Sequence, residues 1–170
     1  GRTGAKLDAT QRSLEQKGVA CESHVVDVAV EAQVLDLHAK LTAGGKPIKA
    51  IINNAGTNLV RPITELETAQ WNEIIAIDLN SIFYMCRAFL PQLQQAKGGG
   101  AIVNVASTFG VIGFPQMPVY CAAKGGVLSL TRQLAVDYGP KGVRVVGLCP
   151  GATLSPRVKN YIESSQVSGD

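Results

Sequence analysis

The chain has 170 residues, about the size of one domain, and 46% of them are hydrophobic, which is enough apolar material for a core. The net charge is only +3 and the basic residues do not cluster, which argues against a dedicated nucleic-acid-binding protein. No apolar run approaches the roughly 18 residues of a membrane span, and no signal peptide is recognisable. We therefore expect one cytoplasmic domain over residues 1–170, with no nucleic-acid or membrane partner.

The metal-binding residue types are scattered along the chain. The four cysteines are Cys21, Cys86, Cys121 and Cys149, and the two histidines are His24 and His38. None of the cysteines forms a C-x-x-C pair, and no histidine stands at zinc-ligand spacing from one. We predict reduced, mostly buried thiols and no metal site.

Short apolar runs alternate with amphipathic stretches along the chain. In the first half, the pattern predicts a helix at 5–17, a strand at 20–28, a helix at 32–43 and a strand at 49–52. In the second half, it predicts helices at 68–95 and 119–138, strands at 101–105 and 143–148, and a short helix at 157–164. This alternation is typical of an α/β fold, a Rossmann-like, doubly wound parallel sheet between layers of helices.

Polar and small residues follow the ends of the predicted strands. Asp27, Asn53, Ser107 and Pro150 each come after the last apolar residue of a strand or close that strand. Parallel sheets bind ligands outside the carboxyl ends of their strands. We therefore expect these residues to lie on one ligand-binding edge.

Tyr120 and Lys124 stand four residues apart near the start of a predicted helix, so they share a face. A free tyrosine has a pKa of about 10 and is a poor acid or base at neutral pH. A nearby ammonium favours the phenolate and lowers that pKa. With the Ser107 hydroxyl on the same edge, the pair predicts a proton-transfer site.

These residues together resemble the short-chain dehydrogenase/reductase family. The resemblance is carried by Asn53-Asn54-Ala55-Gly56 after a strand, Ser107 thirteen residues before Tyr120, the Tyr120-Cys-Ala-Ala-Lys124 segment, and Pro150-Gly151 after the next strand. It runs from Arg2 to about Ser155. It implies hydride transfer between a nicotinamide cofactor and a carbonyl or secondary alcohol, without a metal.

The resemblance also implies roles for individual residues. Tyr120 would be the general acid and base, Lys124 would lower its pKa and contact the nicotinamide ribose, and Ser107 would polarise the substrate oxygen. The residues implied in cofactor binding are Arg2, Asp27, Val28, Asn53, Asn54, Ala55, Gly56, Tyr120, Lys124, Pro150, Gly151, Thr153 and Ser155.

The sequence departs from the family pattern in three ways. The Gly-rich phosphate-binding loop is missing from these residues, and so are most of the last helices and the last strand, so we expect an incomplete piece of the family's fold. Where the family usually has a catalytic Asn, this sequence has Asp78, with Asn80 two residues on. An ionised Asp accepts hydrogen bonds but cannot donate them. In the family, this Asn holds a water molecule that relays protons. Whether Asp78 keeps that role stays open.

Two further alternatives stay open. Arg2 stands where NAD-preferring relatives carry an acid, and its charge would suit a 2′-phosphate, so NADP is favoured with NAD as the alternative. The other alternative is a non-catalytic binding or assembly module. Helices 68–95 and 119–138 are apolar on more than one face, which suggests burial against partner subunits. The resemblance implies a homodimer or homotetramer formed through these helices.

Overall fold

A three-stranded parallel sheet organises the chain. The computed structural model describes residues 1–45, 47–154 and 158. Strands β1 (Ala50–Asn53), β2 (Gly100–Val105) and β3 (Val143–Leu148) lie side by side in the order β1-β2-β3. The register pairs Ile51 with Ile102, and Ile102 with Val145, so all three carboxyl ends meet at one edge. The predicted parallel α/β fold is confirmed.

Helices connect the strands and agree closely with the periodic pattern. They are α1 (Gly4–Glu15), α2 (Glu31–Ala43), α3 (Thr68–Ile75), α4 (Ser81–Gln95) and α5 (Pro118–Tyr138). The predicted single helix at 68–95 is interrupted by a π-helical turn at Ala76–Asn80, which separates α3 from α4. Such turns carry one extra residue and are frequent at functional sites.

The prediction of a strand at 20–28 is wrong, although the segment runs beside the start of the chain. Val26 N–H donates to Gly1 O at 2.8 Å, and the terminal amine of Gly1 donates to His24 O at 3.4 Å. Two such bonds to a short partner do not make a ladder, because a strand needs repeated pairing with a neighbour. The predicted helix at 157–164 lies almost entirely outside the described residues.

The core lies on one face of the sheet, beneath α4 and α5. Ile102 and Val143 from the strands, Phe89 and Leu93 from α4, and Val127 from α5 are all at most 2% exposed. On the opposite face the strands show apolar side chains to solvent, with Ile52 69% exposed. The side chains of β1 alternate between these two faces, as the two-residue period of a strand requires.

Contrary to the expectation from the sequence, the run Thr68–Gln95 reaches the length and hydrophobicity of a membrane span. Its length and a mean hydropathy of 1.3 over an 18-residue window would suffice to cross a membrane. Part of that hydrophobicity belongs to the core, since Ile82, Phe89 and Leu93 are buried against the sheet and its neighbouring helices. A core helix of a soluble protein has the same signature, so the feature is weak evidence for a membrane span.

A buried chain of polar side chains ties the sheet to α5. Asn53 Nδ2 donates to Asn104 Oδ1 at 2.8 Å, Asn104 Nδ2 donates to Thr131 Oγ1 at 2.9 Å, and Thr131 Oγ1 donates to Val127 O at 2.7 Å. Asn104 is fully buried at the centre of this chain. Its amide satisfies groups on β1 and α5 at once, so it fixes their relative positions.

Replacing Asn104 with Ala should lower the free energy of unfolding by about 2–3 kcal/mol. The Asn53 amide on β1 and the Thr131 hydroxyl on α5 would then stay buried without their hydrogen-bond partner. Urea denaturation measures the change, and Asn72→Ala on the exposed side of α3 is the matched control. Equal stability of the two variants would contradict a structural role for this chain of hydrogen bonds.

Candidate active site

The carboxyl edge of the sheet brings the loops after β2 and β3 together. Ala106 N–H donates to Leu148 O at 2.8 Å, and Thr108 N–H donates to Pro150 O at 3.2 Å. These bonds continue the pairing beyond the ends of the two strands. Ser107 therefore lies beside the Pro150 loop, as the position of both residues after parallel strands predicted.

Helix α5 begins next to this edge and presents Tyr120 and Lys124. Pro118 occupies the first turn of the helix, where its missing N–H costs nothing. The Lys124 Nζ atom lies 5.6 Å from the centroid of the Tyr120 ring. Tyr120 is partly buried, whereas Lys124 is only 4% exposed. The pair predicted from its four-residue spacing is thus brought together.

The buried ammonium of Lys124 has two polar partners. Its Nζ donates to the backbone carbonyl of Val105 at 3.1 Å and lies 3.6 Å from Asp78 Oδ2. A charge this deeply buried is tolerated only when it is paired and hydrogen-bonded. Lys124 therefore joins α5 to the end of β2 and to the π-helical turn.

Asp78 lies in that π-helical turn and is completely buried. Its Oδ1 atom accepts a hydrogen bond from the Thr57 backbone N–H at 2.7 Å, while its Oδ2 atom faces Lys124. The carboxylate thus links the loop after β1 to α5. The structure brings Asp78 to the candidate site, where the sequence analysis expected it, and makes it the ionic partner of Lys124, which the sequence analysis did not predict.

Ser107 is 7% exposed and caps the short 3-10 turn Thr108–Gly110. Its Oγ atom accepts a hydrogen bond from the Phe109 backbone N–H at 3.2 Å. That bond uses a lone pair on the hydroxyl oxygen and not its hydrogen. The side chain is therefore oriented by its own loop and retains the means to donate a hydrogen bond.

The turn after β1 has open space beside it. Asn54, Ala55 and Gly56 are exposed, and a cleft beside them is lined by Val28, Ile52, Asn53, Asn54, Ala55, Ser81 and Met85. A Cβ atom on Gly56 would come within 3.3 Å of both Asp78 Oδ1 and Lys124 Nζ. The backbone there runs directly over the ion pair.

The remaining predicted cofactor residues occupy two places. The Arg2 guanidinium lies 3.8 Å from Asp27 Oδ2, and Asp27 Oδ1 accepts from Ala29 N–H at 3.0 Å. After β3, Gly151 is exposed and its carbonyl accepts from Thr153 Oγ1 at 3.3 Å. Ser155 lies outside the described residues.

Cys86 is a structural thiol on the buried face of α4. Burial raises its pKa to about 12, against the opposing effect of the Asn53 amide, so the thiol is neutral at physiological pH. Among the residues that the structure describes, no three His, Cys, Asp or Glu side chains are grouped to hold a metal ion.

Two contacts at the site escaped sequence reasoning. A Cβ atom on Gly110 would lie 2.7 Å from the carbonyl of Lys124, so the loop after β2 packs backbone to backbone on α5. The Arg61 N–H donates to Gln116 O at 2.6 Å, and Gln116 has a φ of 57°, in the left-handed region. These contacts are made by backbone atoms, so no side-chain pattern signals them.

A parallel sheet with crossover helices and polar residues at its carboxyl edge defines a Rossmann-like α/β protein. The family comparison narrows this class. Residues 1–166 match the short chain dehydrogenase family, and the chain belongs to that family.

Known proteins of the family resemble the chain over most of its length. A D-beta-hydroxybutyrate dehydrogenase from Rhizobium meliloti is 36% identical over 82% of the chain and 54% of its own length. A protein from Xanthobacter autotrophicus named as an inactive 2-(S)-hydroxypropyl-CoM dehydrogenase is 34% identical over 91% of the chain and 70% of its own length. The chain thus resembles both active and inactive members.

Solved structures share the fold and include both nicotinamide cofactors. NAD+-bound xylitol dehydrogenase superposes with a TM-score of 0.89 at 27% identity, covering 99% of this chain and 66% of that one. A gluconate 5-dehydrogenase from Burkholderia cenocepacia, in complex with NADP and tartrate, gives 0.89 at 26% identity with the same coverage. The chain spans only 54% and 61% of two curated relatives, both hydroxybutyrate dehydrogenases.

Substituting Gly110 with Ala should destabilise the protein by about 1–3 kcal/mol, because the new methyl group would collide with the Lys124 carbonyl. Gly113→Ala in the same loop is the matched control, since a Cβ atom there meets nothing within 4 Å. Thermal unfolding of both variants checks this, and a Gly110 variant as stable as the control would contradict the close packing.

Proposed function

We propose that the protein containing this chain is an NAD(P)-dependent oxidoreductase that interconverts a carbonyl and a secondary alcohol. The observation that carries the proposal is the buried Lys124 ammonium beside the Tyr120 ring at the carboxyl edge of the sheet. Ser107, on the adjoining loop, supplies a hydroxyl. Family membership supports the same class of reaction.

The proposed chemistry divides the work between these side chains. A bound nicotinamide cofactor supplies or accepts the hydride. Tyr120 gives its phenolic proton to the substrate oxygen during reduction and takes it back during oxidation. The Lys124 ammonium stabilises the phenolate form, and the Ser107 hydroxyl donates a hydrogen bond to the same substrate oxygen. We also propose that Asp78 is part of this machinery, through its contact with Lys124.

We propose NADP as the preferred cofactor and NAD as the alternative. Arg2 and Asp27 are 3.8 Å apart, so the guanidinium stands beside the acid that the resemblance assigns to adenine recognition. A guanidinium recognises phosphate through charge-assisted hydrogen bonds. Of the two cofactors, only NADP carries a 2′-phosphate on its adenosine ribose. The turn from Asn53 to Gly56 would line the adenosine-ribose side of the cofactor. The Pro150-Gly151 loop would lie against its nicotinamide.

The substrate class that the described residues favour is a small or medium neutral carbonyl or alcohol. The loop between Ser107 and Tyr120 is apolar, with Val111 70% and Ile112 59% exposed. Phe109 and Phe114 stack in the same loop with their ring centroids 4.4 Å apart. Such a surface suits the apolar part of a substrate better than a carboxylate or phosphate.

A non-catalytic binding or assembly module is the second candidate, and the relative named as inactive favours it. Exposed apolar side chains on the helices, among them Phe83 at 46% and Val136 at 71%, suit burial against a second copy. We propose a homodimer or homotetramer through helices 68–95 and 119–138, in the cytoplasm, under either function. Binding of NADPH, followed by its fluorescence, separates the candidates because an assembly module has no need of it.

Changing Tyr120 to Phe should reduce turnover by about 10²-fold or more while leaving NADPH binding and stability intact, because only the transferable proton is removed. Steady-state kinetics and a fluorescence titration of the complete protein measure both effects. Tyr138→Phe, at the far end of α5, is the matched control. Nearly full activity in the Tyr120 variant would refute the proposed mechanism.

Replacing Arg2 with Ala should weaken NADPH binding by about tenfold and leave NADH binding almost unchanged, because a charge-assisted hydrogen bond to phosphate is lost. The ratio of the two dissociation constants is the readout, with Arg12→Ala on α1 as the control. An equal loss for both cofactors would argue against recognition of the 2′-phosphate by Arg2.

A further inference from the structure

We propose that Asp78 is a positioning residue that compensates the charge of Lys124 and thereby sets the pH at which Tyr120 ionises. The inference deepens the proposed function, because it concerns the proton-transfer group of that same site. It departs from a relay role, in which the residue at this position would hold a water molecule that relays the proton. Asp78 acts instead through Lys124.

Asp78 has no exposed surface, and its two oxygens face different elements. One oxygen accepts from Thr57 N–H at 2.7 Å, and the other lies 3.6 Å from Lys124 Nζ. The carboxylate is therefore held by the backbone on one side, which leaves it aimed at the ammonium on the other.

An uncompensated ammonium near a phenol favours the phenolate strongly, whereas a paired ammonium and carboxylate present only a dipole to it. Lys124 Nζ is close to both groups, with Asp78 Oδ2 at 3.6 Å and the Tyr120 ring centroid at 5.6 Å. The negative charge of Asp78 must offset part of the stabilisation that Lys124 gives to the phenolate. Tyr120 then ionises at a higher pH than Lys124 alone would allow.

Other charged side chains also surround α5. Three charged residues belong to elements that pack against this helix, and all three side chains are exposed: Glu73 on α3, Arg144 on β3 and Lys141 in the turn Gly139–Lys141. Arg132 and Asp137 on α5 itself are exposed as well. The turn Thr108–Gly110 contributes no ionisable side chain. Exposed charges act through water and are screened by salt. Among the described residues, Asp78 is the buried charge placed to act on Lys124.

The variant Asp78→Asn tests the inference directly. The amide oxygen can still accept from Thr57 N–H, so the turn is kept while the negative charge is removed. The phenolate absorbance of Tyr120 is obtained by subtracting the spectrum of the matching Tyr120→Phe protein at each pH. We expect the midpoint of Tyr120 ionisation to fall by about one pH unit or more. An unchanged or higher midpoint would overturn the proposal.

The matched control is Glu73→Gln, which removes the same charge from an exposed position on α3 and should move the midpoint little. A shift as large as that of the Asp78 variant would mean that net charge, and not the buried pair, governs Tyr120. The titration needs no turnover, so it remains decisive if the protein proves inactive. In an active protein, the acidic limb of the kcat/KM profile should move in the same direction, which loss of folding alone would not produce.

A second measurement covers the case in which Asp78→Asn does not fold. In a Lys124→Gln protein the buried carboxylate loses its counter-charge, so its titration, followed by carbon NMR of labelled aspartate, should move to higher pH than in the unaltered protein. A carboxyl group that titrates at the same pH in both proteins would show that the two groups are not coupled, and would overturn the inference.

Discussion

A buried ammonium must be paired, and this requirement connects the architecture of the chain to its candidate site. Lys124 is 4% exposed and reaches the carbonyl at the end of β2 and the carboxylate of the π-helical turn. Three elements that are distant in sequence are therefore fixed around one charge. Because Tyr120 lies one helical turn before Lys124, the same constraint positions the phenol at the edge of the sheet.

Much of the fold could be predicted from the sequence because it depends on local periodicity. Short apolar runs marked the three strands, and helix α5 was predicted to within one residue at its start. The shared edge of the loops after β2 and β3 followed from strand polarity alone, which placed Ser107 beside Pro150. The pairing of Tyr120 with Lys124 followed from helical spacing.

The rest depends on partners that local patterns do not encode. The segment 20–28 has the composition of a strand, but its described backbone partners are Gly1, at the start of the chain, and Val30, in a local turn. The π-helical turn leaves no periodic signal, since one extra residue shifts the register without changing the apolar content. In the sequence, Asp78 stands out only as a substitution at the position of a catalytic Asn. Its distance to Lys124 in the structure identifies it as the ionic partner of that lysine.

The central claim is that Tyr120, Lys124 and Ser107 serve one substrate oxygen. An experimental structure of the complete protein with a nicotinamide cofactor and a bound carbonyl ligand tests it most directly. The account predicts that the hydroxyls of Tyr120 and Ser107 both lie at about 2.6–3.2 Å from the same ligand oxygen, with Lys124 behind the phenol. Hydroxyl groups directed at different places, or a ligand held away from both, would contradict it.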